Sequence, residues 1–361
     1  MRKRAILVGI GSWGEWWCRD FLPPLMKEGR LEVVAVCEKD AERFAIAKQY
    51  LGVDDSQCYT DARRAFSENQ ADFCIIVVQP WYHEQIVDLA LDSGMDILSE
   101  KPIADTLEAA VRIAGKVKKA GRKMGVTMSH RFDQDKTALR RELRSGRWGD
   151  TDYLVARFTC NLRQFGSWGE MRHRMENPLI MEGAVHHLDI LADLAGSFCR
   201  EIFAQTWKPA WAEYAGDCNA LIQMTFENGV RAFYEGAKSN AVTLNGWANE
   251  YIRAECREGT LILDQRKLSV YPYNGYAGIT AGPDTDKKEI PLPGQPKWAN
   301  PWLLEQFLDW LEGGPAMETN VEANLQSMAL VSAAIKSSRC GAPVRVQEEL
   351  ETARNLLTGR G

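Results

Sequence analysis

The stretch AILVGIGSWG at residues 5–14 decides the fold that the sequence predicts. It joins an apolar run, which suits a buried strand, to a GxGxxG turn that opens a helix candidate. In such a turn the first glycine allows the tight bend, the second lets the backbone approach a pyrophosphate, and the third lets helix and strand pack closely. The helix N-terminus then faces the anion. The residues predicted to contact a dinucleotide here are Gly9, Gly11, Ser12, Trp13 and Gly14.

An acidic residue at the end of the second predicted strand indicates which dinucleotide binds. The run VVAVCE at residues 33–38 ends in Glu38. A carboxylate at this place accepts hydrogen bonds from the ribose hydroxyls of the adenosine and repels a 2′-phosphate, so it favours NAD. Lys39 keeps NADP open as the weaker alternative, because a cation beside Glu38 could accept the phosphate. We therefore expect both residues to contact the cofactor.

The remaining pattern divides the chain into two domains. Strand-like runs alternate with helix candidates as far as residue 126, which is typical of βαβ units and a parallel sheet. Beyond it, segments of alternating apolar and polar residues are typical of half-buried antiparallel strands. The Glu227-Asn228-Gly229 sequence between two of them predicts a hairpin. The expected organisation is an α/β Rossmann domain over residues 1–126 and an α+β domain over residues 127–361.

Several element boundaries follow from the same patterns. We expect regular helices at residues 15–28 and 136–145, a long loop at 272–301, and two closing helices near 303–311 and 321–338. The predicted strands of the second domain lie at residues 153–159, 201–207, 220–226, 230–235, 251–256, 260–263 and 268–271.

Composition excludes several classes of protein. The 361 residues carry a formal net charge of −5, and nucleic-acid binders usually present a basic face, so we expect no nucleic-acid partner. No apolar run approaches the roughly 20 residues that span a bilayer, so we expect no membrane insertion. The basic start, Met1-Arg2-Lys3-Arg4, precedes too short an apolar run for a signal peptide. Nine cysteines without a CxxC pair indicate reduced thiols in a cytoplasmic protein.

Two short segments follow predicted strands of the parallel sheet, where ligands of such sheets bind. The first is QPWYH at residues 79–83 and the second is SEKP at residues 99–102. A lysine in the second segment could stabilise an alkoxide that develops during hydride transfer. The residues of these segments predicted to contact the cofactor are Gln79, Pro80, His83, Glu100 and Lys101.

A helix candidate in the second domain carries the acid–base groups. In EGAVHHLD at residues 182–189, Glu182, His186 and Asp189 share one face of an α-helix. His187 points about a quarter turn away and is expected to be structural. An imidazole has an ordinary pKa near 6.5, so His186 suits a general base. Chelation of a metal by Glu182 and His186 and a purely structural pair are the alternatives; we expect no metal.

The loop before this helix has the composition of a sugar pocket. Tryptophan faces stack on the apolar faces of sugar rings, and arginine binds hydroxyls and anionic groups. Packing of the tryptophan and solvation of the arginines are the alternative. With Lys101 and His186, the residues predicted to contact substrate are His130, Arg163, Trp168, Arg172 and His173.

Taken together, these segments resemble the Gfo/Idh/MocA family of oxidoreductases. QPWYH is similar to the family's (T/S)PNxxH segment, and EKP at residues 100–102 to its EKP hallmark. His130-Arg131-Phe132 resembles its RF segment, and EGAVHHLD its DxGxHxxD helix. Departures are Glu182 in place of Asp, Ala184 in place of Gly, and Gln79 and Trp81 in place of Thr or Ser and Asn. The longer Glu182 side chain alters the geometry between carboxylate and histidine.

The resemblance implies a Rossmann domain followed by a large, open, mostly antiparallel sheet. It also implies a nicotinamide cofactor and a sugar, cyclitol or derivative as substrate. In that site, between the nicotinamide and the sheet domain, we expect Lys101 and His186 to act on the reacting oxygen. Glu182 is expected to orient His186 or relay its proton, and Asp189 is a weaker candidate for either role. Because an open antiparallel sheet has two faces and the cofactor side covers only one, we expect a homodimer or homotetramer built on the outer face of the sheet.

Three functions remain open from the sequence. The first is a dehydrogenase acting on a secondary alcohol of a sugar or cyclitol. The second is a glycoside-cleaving enzyme that oxidises a sugar transiently and returns the hydride. The third is a non-catalytic dinucleotide sensor, which has no need of Lys101 and His186.

Overall fold

The computed structural model describes residues 2–275 and 286–358, and these form two compact units. The first unit contains residues 2–129, 297–328 and 353–358. The second contains residues 130–275, 286–296 and 329–352. The chain first passes from one unit to the other after residue 129, close to the predicted boundary after residue 126. The two C-terminal segments of the first unit, however, fall inside the range 127–361 that was predicted for the second domain.

The first unit is built on a parallel sheet, as the strand–helix alternation predicts. Its order in the described residues is β3-β2-β1-β4-β5-β6. The strands are β1 (Lys3–Val8), β2 (Leu31–Cys37), β3 (Cys58–Tyr59), β4 (Phe73–Ile76), β5 (Asp96–Ser99) and β6 (Met124–Val126). The last four residues of β1 and all of β4 are buried, which explains their continuous apolar sequence.

Helices surround this sheet. They are α1 (Ser12–Trp16), α2 (Leu22–Lys27), α3 (Phe44–Leu51), α4 (Ala62–Glu68), α5 (His83–Asp92), α6 (Leu107–Lys119) and, from the C-terminal part, α10 (Ala299–Leu311). The sequence analysis missed α4, although Asp61 caps it by accepting a hydrogen bond from Arg63 N at 2.9 Å. Its short apolar pattern gives little helical periodicity.

The predicted regular helix at residues 15–28 is interrupted. A π-helical turn, Trp17–Phe21, separates α1 from α2, and Leu22 N donates to Trp17 O five residues earlier. Pro23 and Pro24 follow directly and have no N–H to continue the α-helical ladder. The wider turn accommodates that loss.

The second unit contains a large mixed sheet with the order β14-β13-β12-β11-β7-β10-β9-β8-β15 in the described residues. The strands are β7 (Thr151–Thr159), β8 (Cys199–Trp207), β9 (Asn219–Phe226), β10 (Arg231–Ala237), β11 (Tyr251–Cys256), β12 (Gly259–Asp264), β13 (Lys267–Pro272), β14 (Lys288–Ile290) and β15 (Val344–Arg345). The sheet is mostly antiparallel, as expected.

Within this mostly antiparallel sheet, one strand pair is parallel, although both its strands were predicted to be antiparallel. β10 runs parallel to β7, with Arg231 opposite Tyr153 and Ala237 opposite Thr159. The chain leaves β7, crosses through helices and the β8–β9 hairpin, and returns in the same direction. The predicted hairpin between β9 and β10 is confirmed, because the two strands are antiparallel and Gly229 has a φ of +91°.

Helices of the second unit cover one face of its sheet. α7 (Gln134–Arg144) packs on β12 and β13, and α9 (Val185–Ala195) packs on β7 and β10. A π-helical turn, Leu179–Ala184, leads into α9, so the regular helix expected through residues 182–189 begins only at Val185. The short helix α8 (Glu170–Arg174) precedes the turn.

The C-terminal end contains one helix more than predicted. α11 (Val321–Cys340) is followed by β15 and then by α12 (Val346–Thr358), which the sequence analysis missed. Part of the predicted long loop at 272–301 is ordered into β14 and the start of α10, and residues 276–285 of that prediction lie outside the described residues. Among the described residues, no helix has the length and apolarity needed to cross a membrane.

Candidate active site

The glycine turn after β1 has the geometry that a dinucleotide requires. Gly9 has a φ of +101°, and a Cβ on it would lie 2.1 Å from Val77 O. A Cβ on Gly14 would lie 2.4 Å from Gly9 O, whereas one on Gly11 meets no atom within 4 Å. Gly9 and Gly14 therefore allow the turn to close, and Gly11 leaves open space for a ligand. The residues present fit a bound dinucleotide.

The acidic residue at the end of β2 is tied to this turn. Glu38 Oε2 accepts a hydrogen bond from Ile10 N at 2.7 Å, and its Oε1 accepts one from Asp40 N at 3.2 Å. The neighbouring Lys39 places its ammonium 4.5 Å from the ring centre of Tyr82. The carboxylate thus lies beside the turn, while the lysine makes a cation–π contact.

His83 connects the loops that follow β4 and β5. It is fully buried, and its ring nitrogens lie 3.0 Å from Val78 O and 3.1 Å from Ile103 O. These carbonyl groups flank the QPWYH and EKP segments, so the histidine fixes both loops at the ligand-binding edge of the sheet. Gln79 and Pro80 lie in the first of these loops.

Glu100 joins the EKP segment to the helix that follows the glycine turn. Its Oε1 accepts hydrogen bonds from Trp13 Nε1 at 2.7 Å, Trp17 Nε1 at 2.8 Å and Asn300 Nδ2 at 3.3 Å. Burial raises the pKa of Glu100, although the tryptophan donors oppose the shift. These bonds hold the backbone in front of Lys101, which is half-buried.

The second unit contains a compact cluster of histidines. His130 and His186 stack with ring centres 4.0 Å apart and an interplanar angle of 18°. His130 Nδ1 lies 3.4 Å from Glu250 Oε1, and His187 Nε2 lies 3.6 Å from the same oxygen. The structure therefore brings together two residues predicted in the site, His130 and His186, with two that were not.

A buried ion pair completes the cluster. Lys136 Nζ lies 2.6 Å from Glu250 Oε2, and both side chains are 1% exposed. Burial alone would raise the pKa of Glu250, but Lys136 and the two adjacent histidines lower it well below its usual range. Burial lowers the pKa of His187 to about 4, with Glu250 opposing the shift, so this imidazole is neutral near pH 7.

The predicted carboxylates of the helix have arginine partners. Arg172 Nε donates to Glu182 Oε2 at 2.9 Å, and Glu182 is 4% exposed. Asp189 Oδ2 lies 3.1 Å from Arg131 Nε. The sequence analysis did not foresee these arginines as partners of the carboxylates. Each arginine lies within ion-pair distance of a buried carboxylate.

Trp168 is half-buried and packs against other residues of the second unit. Its ring is 4.1 Å from the buried ammonium of Lys238, which also lies 3.6 Å from Phe158 and 4.5 Å from Trp247. Trp168 further contacts the buried cluster around Tyr214. The structure therefore shows the alternative stated for this tryptophan, namely that its side chain packs within the domain.

His173 and Arg163 occupy different surroundings. His173 is 1% exposed and stacks on Tyr214 at 3.9 Å, with Nδ1 3.0 Å from Glu213 O. Arg163 lines a small surface pocket with Asn161, Gln164 and Ser167.

Sequence reasoning missed Glu250, Lys136, Trp247 and Lys238. They are distributed along residues 136–250 and carry no short motif, so only the folded chain brings them to the histidines. Trp247 lies 5.0 Å from the ring centre of His130. The one usable signal is that Lys136 falls on a helix candidate directly after the HRF segment.

The fold and these residues define the class of nicotinamide-dependent oxidoreductases. The model of an oxidoreductase family's NAD-binding Rossmann fold, GFO_IDH_MocA, matches residues 3–128. The model of the same family's C-terminal alpha/beta domain matches residues 145–346. The chain therefore belongs to the Gfo/Idh/MocA family of oxidoreductases, and its first domain is an NAD-binding Rossmann fold. The family resemblance stated from the sequence motifs is confirmed.

Several proteins are similar to this chain over long stretches of sequence. Uncharacterized protein y4oX from Sinorhizobium fredii is 50% identical over 355 residues, 98% of each chain. D-apiose dehydrogenase from Paraburkholderia graminis is 26% identical, over 96% of this chain and 90% of its own. Inositol 2-dehydrogenase from Corynebacterium glutamicum is 30% identical, over 55% of this chain and 57% of its own. The chain is an oxidoreductase of the sugar and cyclitol dehydrogenase type.

Solved structures share the fold. An oxidoreductase from Agrobacterium radiobacter, in complex with NAD+, L-tartaric acid and magnesium, has a TM-score of 0.83 at 20% identity over 96% of this chain and 99% of its own. The WlbA dehydrogenase from Bordetella pertussis, in complex with NADH and UDP-GlcNAcA, has a TM-score of 0.77 at 17% identity, over 96% of this chain and 99% of its own.

Proposed function

We propose that this protein interconverts a secondary alcohol and a ketone on a sugar, cyclitol or related polyol, with NAD(H) as the preferred cofactor. The observation that carries the proposal is the stacked histidine pair His130–His186 beside Glu250, in an oxidoreductase whose glycine turn fits a dinucleotide. When bound, the nicotinamide accepts or supplies the hydride. Side chains of the protein then transfer the proton of the substrate hydroxyl.

His186 is the proposed general base. Its ring is 5% exposed and is held against His130, which restricts its orientation. An imidazole in this setting can take the proton of a substrate hydroxyl and return it in the reverse direction. Glu182, which precedes it by four residues and accepts a hydrogen bond from Arg172, is the proposed positioning residue.

Lys101 is the proposed electrostatic group. It follows the buried Glu100, whose hydrogen bonds fix the backbone of the EKP segment. Its ammonium would stabilise negative charge on the reacting oxygen, which is worth most where water is excluded.

The proposed substrate contacts are cationic and aromatic. Arg163 offers a guanidinium at a surface pocket, and Arg172 adds a second one beside Trp168. With His130, these residues provide polar groups for substrate hydroxyls and a ring face for a sugar. His173 is not among them, because it is 1% exposed and both its ring nitrogens lie within hydrogen-bond distance of backbone atoms.

The test is a panel of sugars and cyclitols assayed with NAD+ and NADP+, with NADH formation and product structure measured in parallel. We expect NADH formation in step with a ketone product from at least one polyol. Product formed without net NADH would contradict the proposal and favour the glycoside-cleaving alternative.

Variants then test the base. On the substrate found, His186→Gln should lower kcat by roughly 10²–10⁴-fold, while NADH affinity changes little. Ala192→Gln places the same side chain on α9 at a half-buried position and is the matched control. If His186→Gln keeps kcat close to that of the control, His186 is not the base.

A further inference from the structure

Three buried polar atoms in the second unit converge without forming hydrogen bonds. They are His130 Nδ1, His187 Nε2 and Glu250 Oε1, and none has a hydrogen-bond partner among the described residues. His187 and Glu250 are 2% and 1% exposed. Buried polar atoms nearly always have partners, so three at one point require an explanation.

The distances suit ligands of one ion. The separations from Glu250 Oε1 are 3.4 Å to His130 Nδ1 and 3.6 Å to His187 Nε2, and all three atoms lie within 4.8 Å of one another. These separations exceed a normal N–H···O hydrogen bond. Tetrahedral ligands about 2.1 Å from a zinc ion lie about 3.4 Å apart.

The opposite ends of two ligands are fixed. His187 Nδ1 lies 3.0 Å from the hydroxyl oxygen of Tyr234, which leaves Nε2 facing Glu250. Glu250 Oε2 accepts from Lys136 Nζ at 2.6 Å, which leaves Oε1 facing the histidines. Metal-binding histidines and carboxylates are oriented by outer partners of this kind.

Beside Glu250, carboxylates outnumber the ammonium that they share. Lys136 is bordered by Glu250, Asp133 and Asp135, with Nζ at 2.6, 3.3 and 3.4 Å from their carboxylate oxygens. One ammonium therefore faces three carboxylates. The nearby arginines are engaged elsewhere, since Arg131 and Arg140 both bind Asp193.

We propose that His130, His187 and Glu250 bind one divalent transition-metal ion of the zinc type, with a fourth position open to water or another oxygen ligand. Two histidines and one glutamate are a ligand set that zinc accepts. From the sequence we expected no metal, because only Glu182 and His186 were considered as ligands. Glu250 lies far along the chain from His130 and His187, and only the fold brings the three together. His187, expected to be structural, is a ligand in this proposal.

The first experiment measures metal binding directly, without activity. Untagged full-length protein is stripped with chelator, incubated with zinc or cobalt(II), freed of unbound ion and analysed by mass spectrometry of the elements. We expect about one ion per chain and, with cobalt(II), visible bands of tetrahedral coordination. Wild-type protein that retains far less than one ion per chain overturns the proposal.

Variants locate the ion. Glu250→Gln and His187→Gln should each weaken zinc binding by more than the roughly 10–100-fold that loss of an outer partner costs. His173→Gln, which changes a buried histidine outside the cluster, should keep the wild-type stoichiometry. Circular dichroism verifies that each variant folds. If His187→Gln does not fold, the zinc affinity of Glu250→Gln alone tests the location of the ion. Folded variants that retain the ion with wild-type affinity also overturn the proposal. The measurement does not depend on the proposed function, because metal binding is detected whether or not the protein shows dehydrogenase activity.

Discussion

The carboxylate of Glu38 has a charge and two backbone partners, and the two properties can be separated. Its oxygens accept from Ile10 N and Asp40 N, so they support the glycine turn. Its charge opposes a 2′-phosphate. Lys39 contacts the Tyr82 ring, which leaves Glu38 as the residue expected to select the cofactor.

Glu38→Gln keeps an acceptor for the turn and removes the charge. We expect the ratio of NADPH to NADH affinity to rise about tenfold, which corresponds to about 1.4 kcal/mol of lost repulsion. Fluorescence titration with NADH and NADPH measures it. Lys39→Gln is the matched control and should lower NADPH affinity only slightly; wild-type protein that prefers NADPH would contradict the assignment.

Single residues were predictable from the sequence where a short segment carries the chemistry. Lys101 lies in the EKP segment and His186 in the EGAVHHLD segment, so the adjacent residues in the sequence identify both as site candidates. Glu250 and Lys136 were not predictable, because 114 positions separate the two side chains that form their 2.6 Å contact. A buried ion pair between distant residues gives no local pattern.

Elements show the same division between local and long-range information. Parallel strands of the first unit and the β9–β10 hairpin follow from hydrophobic pattern and turn residues, which are local. The parallel pair β7–β10 does not, because alternation of apolar and polar residues reports burial and is the same for both strand directions. Regular helical spacing likewise does not reveal the π-helical turns before α2 and α9.

The glycine turn allows a prediction at the level of one element. Gly9→Ala should destabilise the protein by about 1–3 kcal/mol, because alanine at a φ of +101° is strained and its Cβ would overlap Val77 O. Gly11→Ala meets no atom within 4 Å, so its unfolding temperature should stay close to that of the wild type, while NADH affinity falls. Thermal unfolding and NADH titration on both variants separate folding from binding. Equal losses of stability in the two would refute this division of roles.

The sheet of the second unit has one face that helices α7 and α9 cover and another that presents apolar side chains. On the second face, Leu221 is 50% exposed and Phe233 is 45% exposed, on the adjacent strands β9 and β10. Cross-strand register places Leu221 opposite Glu235 and Phe233 opposite Gln223, so both apolar side chains belong to the same surface. Neighbouring exposed apolar residues on a sheet suit burial against a second copy.

We therefore expect a homodimer or homotetramer that buries this face. The double variant Leu221→Glu with Phe233→Glu places two charges there and should raise the dissociation constant at least roughly 30-fold, which corresponds to about 2 kcal/mol. Val242→Glu changes an exposed valine outside the strands and should leave assembly unchanged. Light scattering coupled to size-exclusion chromatography, over a range of concentrations, gives the mass of each. A monomeric wild type would exclude the assembly, and an intact oligomer of the double variant would show that another surface forms it.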